Sequence, residues 1–554
     1  MKYLRIHPLV TALFLVGCSS QAFAQLGQNL SVDVRSLSMG NAVTADPPGI
    51  SAIHFNPAGL TKLKGLHTDV QGLIANFDVN REFSAPQGYN VFGYSDDPLV
   101  CNDSPDNNSS LCTDFKGTVN GDVEYASLYV PILKKMVDLG EGWPVAAPTG
   151  GISYNPPGSK LTYATAVYAP LVAGFGAEDG NAGNYMGQQM AMERITYLSP
   201  SIAYQASDEL SIGASIGMSY QAIAMNTDLR FPNELIGVLR MVDESVCGPF
   251  RQNSNVITDL LLFGICNADE GMNPFSRFGK MKVSMEQSLS PSYNLGVMWE
   301  PNDDFGWGFV YQSAAKMRLK GKYYIENSNA PRELMKGLNS SATGQILAAI
   351  LGFPSSIPAT ESGLVNMDLE YPAHFQTGIK YKILPDLQIN LDVGWTDYSK
   401  WKKFKFEFDR QISALKIAKL LSNDVTDTSL ALPLDFQSSW NWGIGIEYSA
   451  NDRLKLRMGY EPRTSAIPDN RRNTMVPINN AQMFGLGVGY RFDEDTDIDL
   501  SIAFLRSRDN IPAGSSHLSN YDGVDNLLLN PYAGMNVSTN TKITILGINY
   551  RTRW

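Results

Sequence analysis

Residues 210–220 read Leu210-Ser211-Ile212-Gly213-Ala214-Ser215-Ile216-Gly217-Met218-Ser219-Tyr220. In an extended chain Leu210, Ile212, Ala214, Ile216, Met218 and Tyr220 share one face, and Ser211, Gly213, Ser215, Gly217 and Ser219 share the other. A period of two is that of a β-strand. Apolar residues opposed by small polar ones suit a wall with lipid on one side and a polar lumen on the other. The alternation recurs at Tyr293, Leu295, Val297 and Trp299, and at Phe305, Trp307, Phe309 and Tyr311. It recurs again at Leu387–Trp395, Trp440–Tyr448, Phe484–Tyr490 and Ile498–Phe504. A soluble sandwich also alternates. Aromatic residues at the strand ends, with glycine or serine opposite, fit a membrane barrel better.

The connections carry the same message. Short polar turns stand at Pro156–Ser159, Ser207–Glu209, Pro301–Asp304, Leu384–Asp386, Ala450–Asp452 and Asp493–Thr496. Between them run long connections, at 230–279, 326–366, 409–435, 463–480 and 508–540. Short turns at one end and long loops at the other is the outer-membrane arrangement. The spacing predicts an all-β fold, an antiparallel transmembrane β-barrel of about fourteen strands, an even number as single-chain bacterial barrels have. The strand-like run Val123–Leu133 falls in the first long loop. The last strand, Lys542–Trp554, puts Leu546, Ile548, Tyr550, Thr552 and Trp554 on one face. An aromatic terminus of this kind resembles the signal read by the barrel-insertion machinery, which is therefore an expected partner.

The N-terminus supplies an export signal. Lys2 and Arg5 precede a short apolar stretch, Pro8–Gly17, and Ala22-Phe23-Ala24 forms a small-x-small cleavage site. Residues 1–24 are read as a signal peptide, so that the mature chain begins at Gln25. Leu15-Val16-Gly17-Cys18 competes as a lipoprotein box with lipidation at Cys18. Apolar runs elsewhere, such as Ile346–Phe353, fall far short of the ~20 residues a spanning helix needs. The remaining cysteines form two nearby pairs, Cys101 with Cys112 and Cys247 with Cys266. An oxidising compartment makes two local disulfides the expectation. Zinc is the alternative, but no histidine stands at ligand spacing. The net charge of -11 and pI of 5.1 argue against nucleic acid as a partner. The 25 Tyr, 24 Phe and 8 Trp suit aromatic girdles.

Residues 25–65 do not alternate. They hold Met39-Gly40-Asn41-Ala42 and Phe55-Asn56-Pro57-Ala58-Gly59-Leu60, a density of turn formers that excludes a strand ladder. A compact segment ahead of a barrel this size has its natural place inside the lumen, as a plug, with residues 66–554 forming the barrel. Here the chain resembles the FadL-type outer-membrane transporters. The resemblance rests on Asn56-Pro57-Ala58 after Gly40-Asn41-Ala42-Val43, on Asp392-Val393-Gly394-Trp395-Thr396-Asp397-Tyr398-Ser399, and on Leu456–Tyr460 followed by Ile467–Asn470. Tyr398 departs from the Trp frequent in that family. The resemblance implies a 14-stranded barrel with a hatch containing Asn56, Pro57 and Ala58. It also implies uptake of long-chain fatty acids or, in some members, of aromatic or aliphatic hydrocarbons.

Several residues are candidates for that work. An apolar ligand needs apolar sites, each worth roughly 25 cal/mol per Å² buried. Leu235, Ile236 and Leu239 in one long loop, and Leu334, Leu338, Ile346, Leu347 and Ile350 in the next, sit at helical spacing. They form a capture groove, or they pack on one another. Arg463, Arg471 and Arg472 share a loop and suit a carboxylate, or are plain surface charge. No catalytic constellation, metal-ligand set or cofactor motif stands out, so an outer-membrane enzyme is disfavoured, as is a general porin for polar solutes by the hatch. Pro170 falls late in the alternating run Leu161–Leu171. Proline cannot donate to a ladder, so either the strand ends there or a bulge forms at Ala169 and Pro170. The resemblance implies a kink in this third strand beside Asn56–Ala58, and with it a lateral exit. The expected partners are a hydrophobic ligand and the lipid and lipopolysaccharide of the outer membrane.

Overall fold

The structure is a computed structural model that describes residues 29–89, 118–130, 133–141, 145–230, 278–420, 422–523 and 529–554. The signal region, all five cysteines and Leu235, Ile236 and Leu239 lie outside the described residues.

Fourteen antiparallel wall strands close on themselves. They are β1 (Gly65–Ser84), β2 (Val145–Asn155), β3 (Leu161–Gly176) and β4 (Gln189–Leu198 with Ser201–Gln205). Next come β5 (Leu210–Leu229), β6 (Gly279–Trp299) and β7 (Phe305–Gln312 with Ala315–Asn327). Then follow β8 (Thr360–Tyr371 with His374–Leu384), β9 (Leu387–Thr396 with Lys403–Phe408) and β10 (Ser429–Pro433 with Ser439–Ser449). The wall ends with β11 (Leu454–Arg463), β12 (Ala481–Arg491), β13 (Thr496–Ile511) and β14 (Asn536–Arg553). β14 pairs with β1 from His67↔Arg553 to Ser84↔Asn536, which leaves no free edge at the seam. Closure matters because an unpaired backbone in hydrocarbon costs several kcal/mol per group.

The faces fall as the alternation predicts. On β5, Ile212 and Ile216 are 45% and 54% exposed on the lipid side. Their lumen-facing neighbours carry the hatch: Ser215 Oγ donates to the Ile53 carbonyl at 3.2 Å, and Thr61 Oγ1 donates to Ser211 Oγ at 2.9 Å. The inward glycines are not merely small. A Cβ on Gly213 or Gly296 would collide with Pro57 or Asn56, one on Gly308 with the Thr44 carbonyl, and one on Gly485 with the Leu37 carbonyl. These glycines let the hatch backbone lie directly on the wall.

The hatch is short irregular helix. Asp33 caps α1 (Val34–Ser38) by accepting from the Ser36 amide at 2.8 Å. Gly40 (φ 60°) and Asn41 (φ 55°) then turn through the left-handed region, with Gly40 against the Tyr460 backbone. After α2 (Ala52–Phe55), Asn56 caps a 3-10 turn that begins with Pro57.

Within the run Val123–Leu133, Tyr125–Val130 forms a strand that pairs with Lys135–Glu141. It leaves the wall and lies over the outward face of β3–β5. Room for it comes from Gly174 and Gly176, and from Ala191, Ala222 and Ala224, buried on the barrel's outside beside Tyr129. The loop between β7 and β8 forms α3 (Asn329–Leu338) and α4 (Ala342–Leu351), and that between β9 and β10 forms α5 (Ser413–Ala418).

Candidate functional site

β2 and β3 pair only from Gly150↔Val167 to Tyr154↔Tyr163. Beyond that point residues 145–149 of β2 pair, among the described residues, with β1 alone. On its other edge β3 pairs Tyr168 with Thr196 and next Leu171 with Arg194, so that Ala169 and Pro170 together face one residue of β4. That is a β-bulge, and it falls at the proline. The Ala169 carbonyl accepts from Ser31 Oγ at 2.6 Å and the Pro170 carbonyl from the Asn29 amide at 3.3 Å. The hatch therefore satisfies carbonyls that the wall leaves free. Higher up, Gly121 and Val123 donate to the Arg81 and Val79 carbonyls of β1, and Glu124 to Gly176 of β3. This bridge makes the gap a window with closed margins above and below.

An apolar cavity of about 130 Å³ opens at this window. Leu30 of the hatch, Leu73 of β1, Leu171 and Phe175 of β3, Met192 of β4 and Phe436 help to line it. Ile74 lines it too, although it stands on the outer face of β1 and is 41% exposed. The cavity thus runs from the lumen to the outer surface.

Arg194 neighbours the cavity's lining without itself lining it. It pairs across the ladder with Leu171, shares a face with Met192, and is 3% exposed. Its Nη1 and Nη2 donate to Ser290 Oγ (3.4 Å) and Ser292 Oγ (3.1 Å), and its guanidinium lies 4.6 Å from the centre of the Tyr371 ring. Among the described residues no carboxylate lies within 4 Å of it. Beside it, Gln221 is fully buried, and neither its Oε1 nor its Nε2 has a hydrogen-bond partner. A buried cation without a counter-charge and a buried amide without partners are both costly. Their juxtaposition is what an anionic group with hydrogen-bonding oxygens would satisfy.

Below the cavity the hatch is tied to the wall by charge. Arg35 pairs with Asp46 (2.5 Å) and with Glu447 of β10 (3.2 Å). Lys62 pairs with Asp46 (3.4 Å) and with Glu300 of β6 (2.9 Å), and Lys380 of β8 pairs with the same Glu300. Burial opposes the charge on Asp46, but Arg35 and Lys62 outweigh it and hold the carboxyl well below the usual range. Burial likewise pushes His54 down to about 3, so the imidazole beside Asn29 and Tyr168 is neutral.

The family model described as outer membrane protein transport protein (OMPP1/FadL/TodX) matches residues 13–554. The chain belongs to this family. It is an outer-membrane β-barrel. Among curated relatives, the long-chain fatty acid transport protein of Escherichia coli O6:H1 is 21% identical over 217 residues. The 47 kDa outer membrane protein of Pasteurella multocida is 23% identical over 218 residues. Each alignment takes in 39% of this chain and 42% and 44% of those proteins, so the chain spans less than half the length of the curated relatives it matches. A FadL homologue from Pseudomonas aeruginosa superposes with TM-score 0.63 at 14% identity, over 96% of this chain and 100% of that one. The toluene transporter TodX of P. putida gives 0.55 at 14%, over 96% and 99%. At such identities the likeness is one of fold.

The structure distributes the other candidates of this family member as follows. Asn56 donates to the Thr44 and Val297 carbonyls (2.8 and 3.0 Å). With Pro57 and Ala58 it therefore packs on β5 and β6, where Gly213 and Gly296 make room. The hydrogen bonds to the Ala169 and Pro170 carbonyls come from Ser31 and Asn29, while the turn Pro57–Lys62 also packs against β3. Leu338 is buried with Met335 and Ala348 in a small separate core of α3 and α4, with Leu334 and Leu347 packed against it. Ile346 and Ile350 point outward, at 61% and 75% exposed. None of these five lines the window cavity. The arginines already hold carboxylates of the protein: Arg463 pairs with Glu461 (3.2 Å), Arg471 with Asp435 (2.8 Å), and Arg472 with Asp509 (2.9 Å) and Asp469. Sequence reading passed over Arg194. Its one signal was a charged residue at a lumen-facing position between Met192 and Thr196.

Proposed function

We propose that this barrel takes up hydrophobic small molecules, long-chain fatty acids first among them, as a transporter rather than an enzyme, and releases them sideways through the window between β2 and β3. The observation that carries the reading is the apolar cavity that abuts both the hatch and the bulge at Pro170. A ligand with a long apolar tail gains about 0.8 kcal/mol per methylene buried. It would lose that gain by crossing water, and a lateral route spares it the crossing. Arg194, poised beside the cavity, favours a ligand with a carboxylate over a plain hydrocarbon. The second reading is a hydrocarbon channel of the TodX kind, which the same apolar lining supports.

Lipid extracted from the purified barrel and identified by mass spectrometry separates these. A fatty acid should be recovered at about one per barrel; recovery of neutral hydrocarbon alone would reject the fatty-acid reading. The route is tested by a disulfide engineered across the gap, from residues 145–149 to residues 168–172. With the crosslink fully formed, uptake of labelled oleate should fall at least tenfold and return on reduction. Uptake unchanged by the crosslink removes the lateral route and leaves the ligand assignment standing.

A further inference from the structure

The lipid-facing side of β7 changes character part-way up. From Phe305 through Trp307 and Phe309 to Tyr311 it is aromatic, each ring opposite the outer face of β6 or β8. The ladder breaks at Ser313, the alternation slips by one residue, and the outward positions become Lys316, Arg318, Lys320 and Lys322, all exposed. The inward ones, Met317, Leu319 and Tyr323, are buried in the lumen core. Eleven residues separate Phe305 from Lys316, a climb of about 28 Å at ~3.3 Å per residue and ~40° tilt. That matches an apolar band ~25 Å tall, so the cations begin where the hydrocarbon of the outer leaflet ends.

Their neighbours divide them. Lys316 faces Glu370 and Arg318 faces Asp368 across the β7–β8 ladder. Lys322 faces Leu364 on one side and Ser284 on the other, and Lys282 of β6, also exposed, faces Tyr324. Lys320 faces Asn366 and Glu286, but that carboxylate accepts from the Tyr129 and Tyr220 hydroxyls (3.3 and 3.0 Å) and lies 3.8 Å from Lys134. Among the described residues none of Lys282, Lys320 and Lys322 has an ion-pair partner within 4 Å. Lysines two apart on a strand stand ~7 Å from one another, and Lys282 is diagonal to Lys322. Like charges so close repel, and the cluster sits on a chain of net charge -11. Such a triangle is stabilised by a polyanion in the plane of the membrane surface.

We infer that Lys282, Lys320 and Lys322 form a binding site for the phosphorylated headgroup of the outer-leaflet glycolipid. Lys316 and Arg318 mark its lower edge and the Tyr324 ring, 38% exposed, flanks it. The site anchors the barrel laterally three to four strands round the wall from the β2–β3 window and is independent of what passes through that window.

The test uses the full mature chain in detergent, titrated with bisphosphorylated lipid A and with the same lipid stripped of phosphate, bound lipid being counted by native mass spectrometry. The wild type should hold the phosphorylated lipid at least tenfold more tightly. Each basic group at an anionic membrane surface is worth about fivefold, so the combined Lys282→Ala, Lys320→Ala, Lys322→Ala variant should lose affinity on the order of a hundredfold. A control variant, Lys160→Ala with Lys382→Ala at the opposite rim, should bind as the wild type does. Heat-modifiable gel mobility certifies that each variant is folded. Equal binding of the two lipids, or a folded triple variant that binds as tightly as the wild type or the control, overturns the site and leaves these lysines as solvated charge.

Discussion

Replacing Arg194 with methionine should weaken oleate binding by roughly 10- to 100-fold while leaving toluene and methyl oleate unchanged. A charge-assisted hydrogen-bonded contact is worth about 1.5–3 kcal/mol, and 1.4 kcal/mol is a factor of about ten. A tail of some sixteen methylenes can contribute several times that on burial. The tail therefore supplies most of the affinity, and Arg194 supplies the distinction between an acid and its ester. The loss should be partial rather than complete, with Arg194→Lys retaining part of it. Stability should move the other way. Arg194 is buried against Ser290, Ser292 and the Tyr371 ring with no carboxylate within 4 Å among the described residues. An uncompensated buried cation costs free energy, so the methionine variant should melt no lower than the wild type. Calorimetric titration against the three ligands, with thermal melts alongside, checks both. Equal weakening for acid, ester and hydrocarbon would mark Arg194 as structural, and no weakening at all would remove it from the site.

Arg35→Met is expected to unseat the hatch. Arg35 is the side chain that joins the plug's own Asp46 to Glu447 in the wall. Breaking a buried ion pair on one side costs about 3–5 kcal/mol. Lys62 still reaches Asp46, and Lys455 and Arg457 still reach Glu447, so the lower end of that range applies. A loss of about 3 kcal/mol raises the unseated population roughly a hundredfold. Single-barrel conductance in a planar bilayer should show frequent openings where the wild type is closed, and Arg35→Lys should restore most of the closure. The acid limit follows from Asp46. Its carboxyl is held below the ordinary 3.8 in the folded protein, so its contribution is fully present above that value and is lost as pH falls through the folded one. Wild-type closure should therefore persist down to about pH 4. A closed Arg35→Met barrel at neutral pH would show that the glycine-cradled backbone contacts hold the hatch without the charges.

The candidate site was legible in part. Pro170 announced an irregular strand because a missing N–H is a local fact. The partners of that irregularity were not legible: Asn29 and Ser31 lie 138 or more residues away in the chain. Asn56–Ala58 was a sound marker of the hatch, but the Asn56 side chain bonds Val297 on β6, three strands round the wall from the β3 position expected for it. The loop leucines failed for a different reason. Helical spacing says which residues share a face and nothing of what that face meets, and Leu338 with Met335 and Ala348 meets Ile357 and Ile417 of α5 in a small core of the loops. Arg463, Arg471 and Arg472 are of the right chemical type, yet their charges are spent on Glu461, Asp435, Asp509 and Asp469.

The sequence by itself determined that the chain is a closed membrane barrel with a plug, and which end carries the loops. Lipid on one side imposes period-two apolarity residue by residue, and tight turns and terminal aromatics are local as well. Only the tertiary structure brought together the lining of the proposed ligand site. Leu30, Leu73, Leu171, Met192 and Phe436 converge on one cavity from five separate stretches of chain. Arg194 becomes a candidate because closing the barrel surrounds it with hydroxyls and a ring and, among the described residues, brings no carboxylate within 4 Å. A cation's meaning depends on its neighbours in space, and those are fixed only when the strands are in register and the hatch is in place.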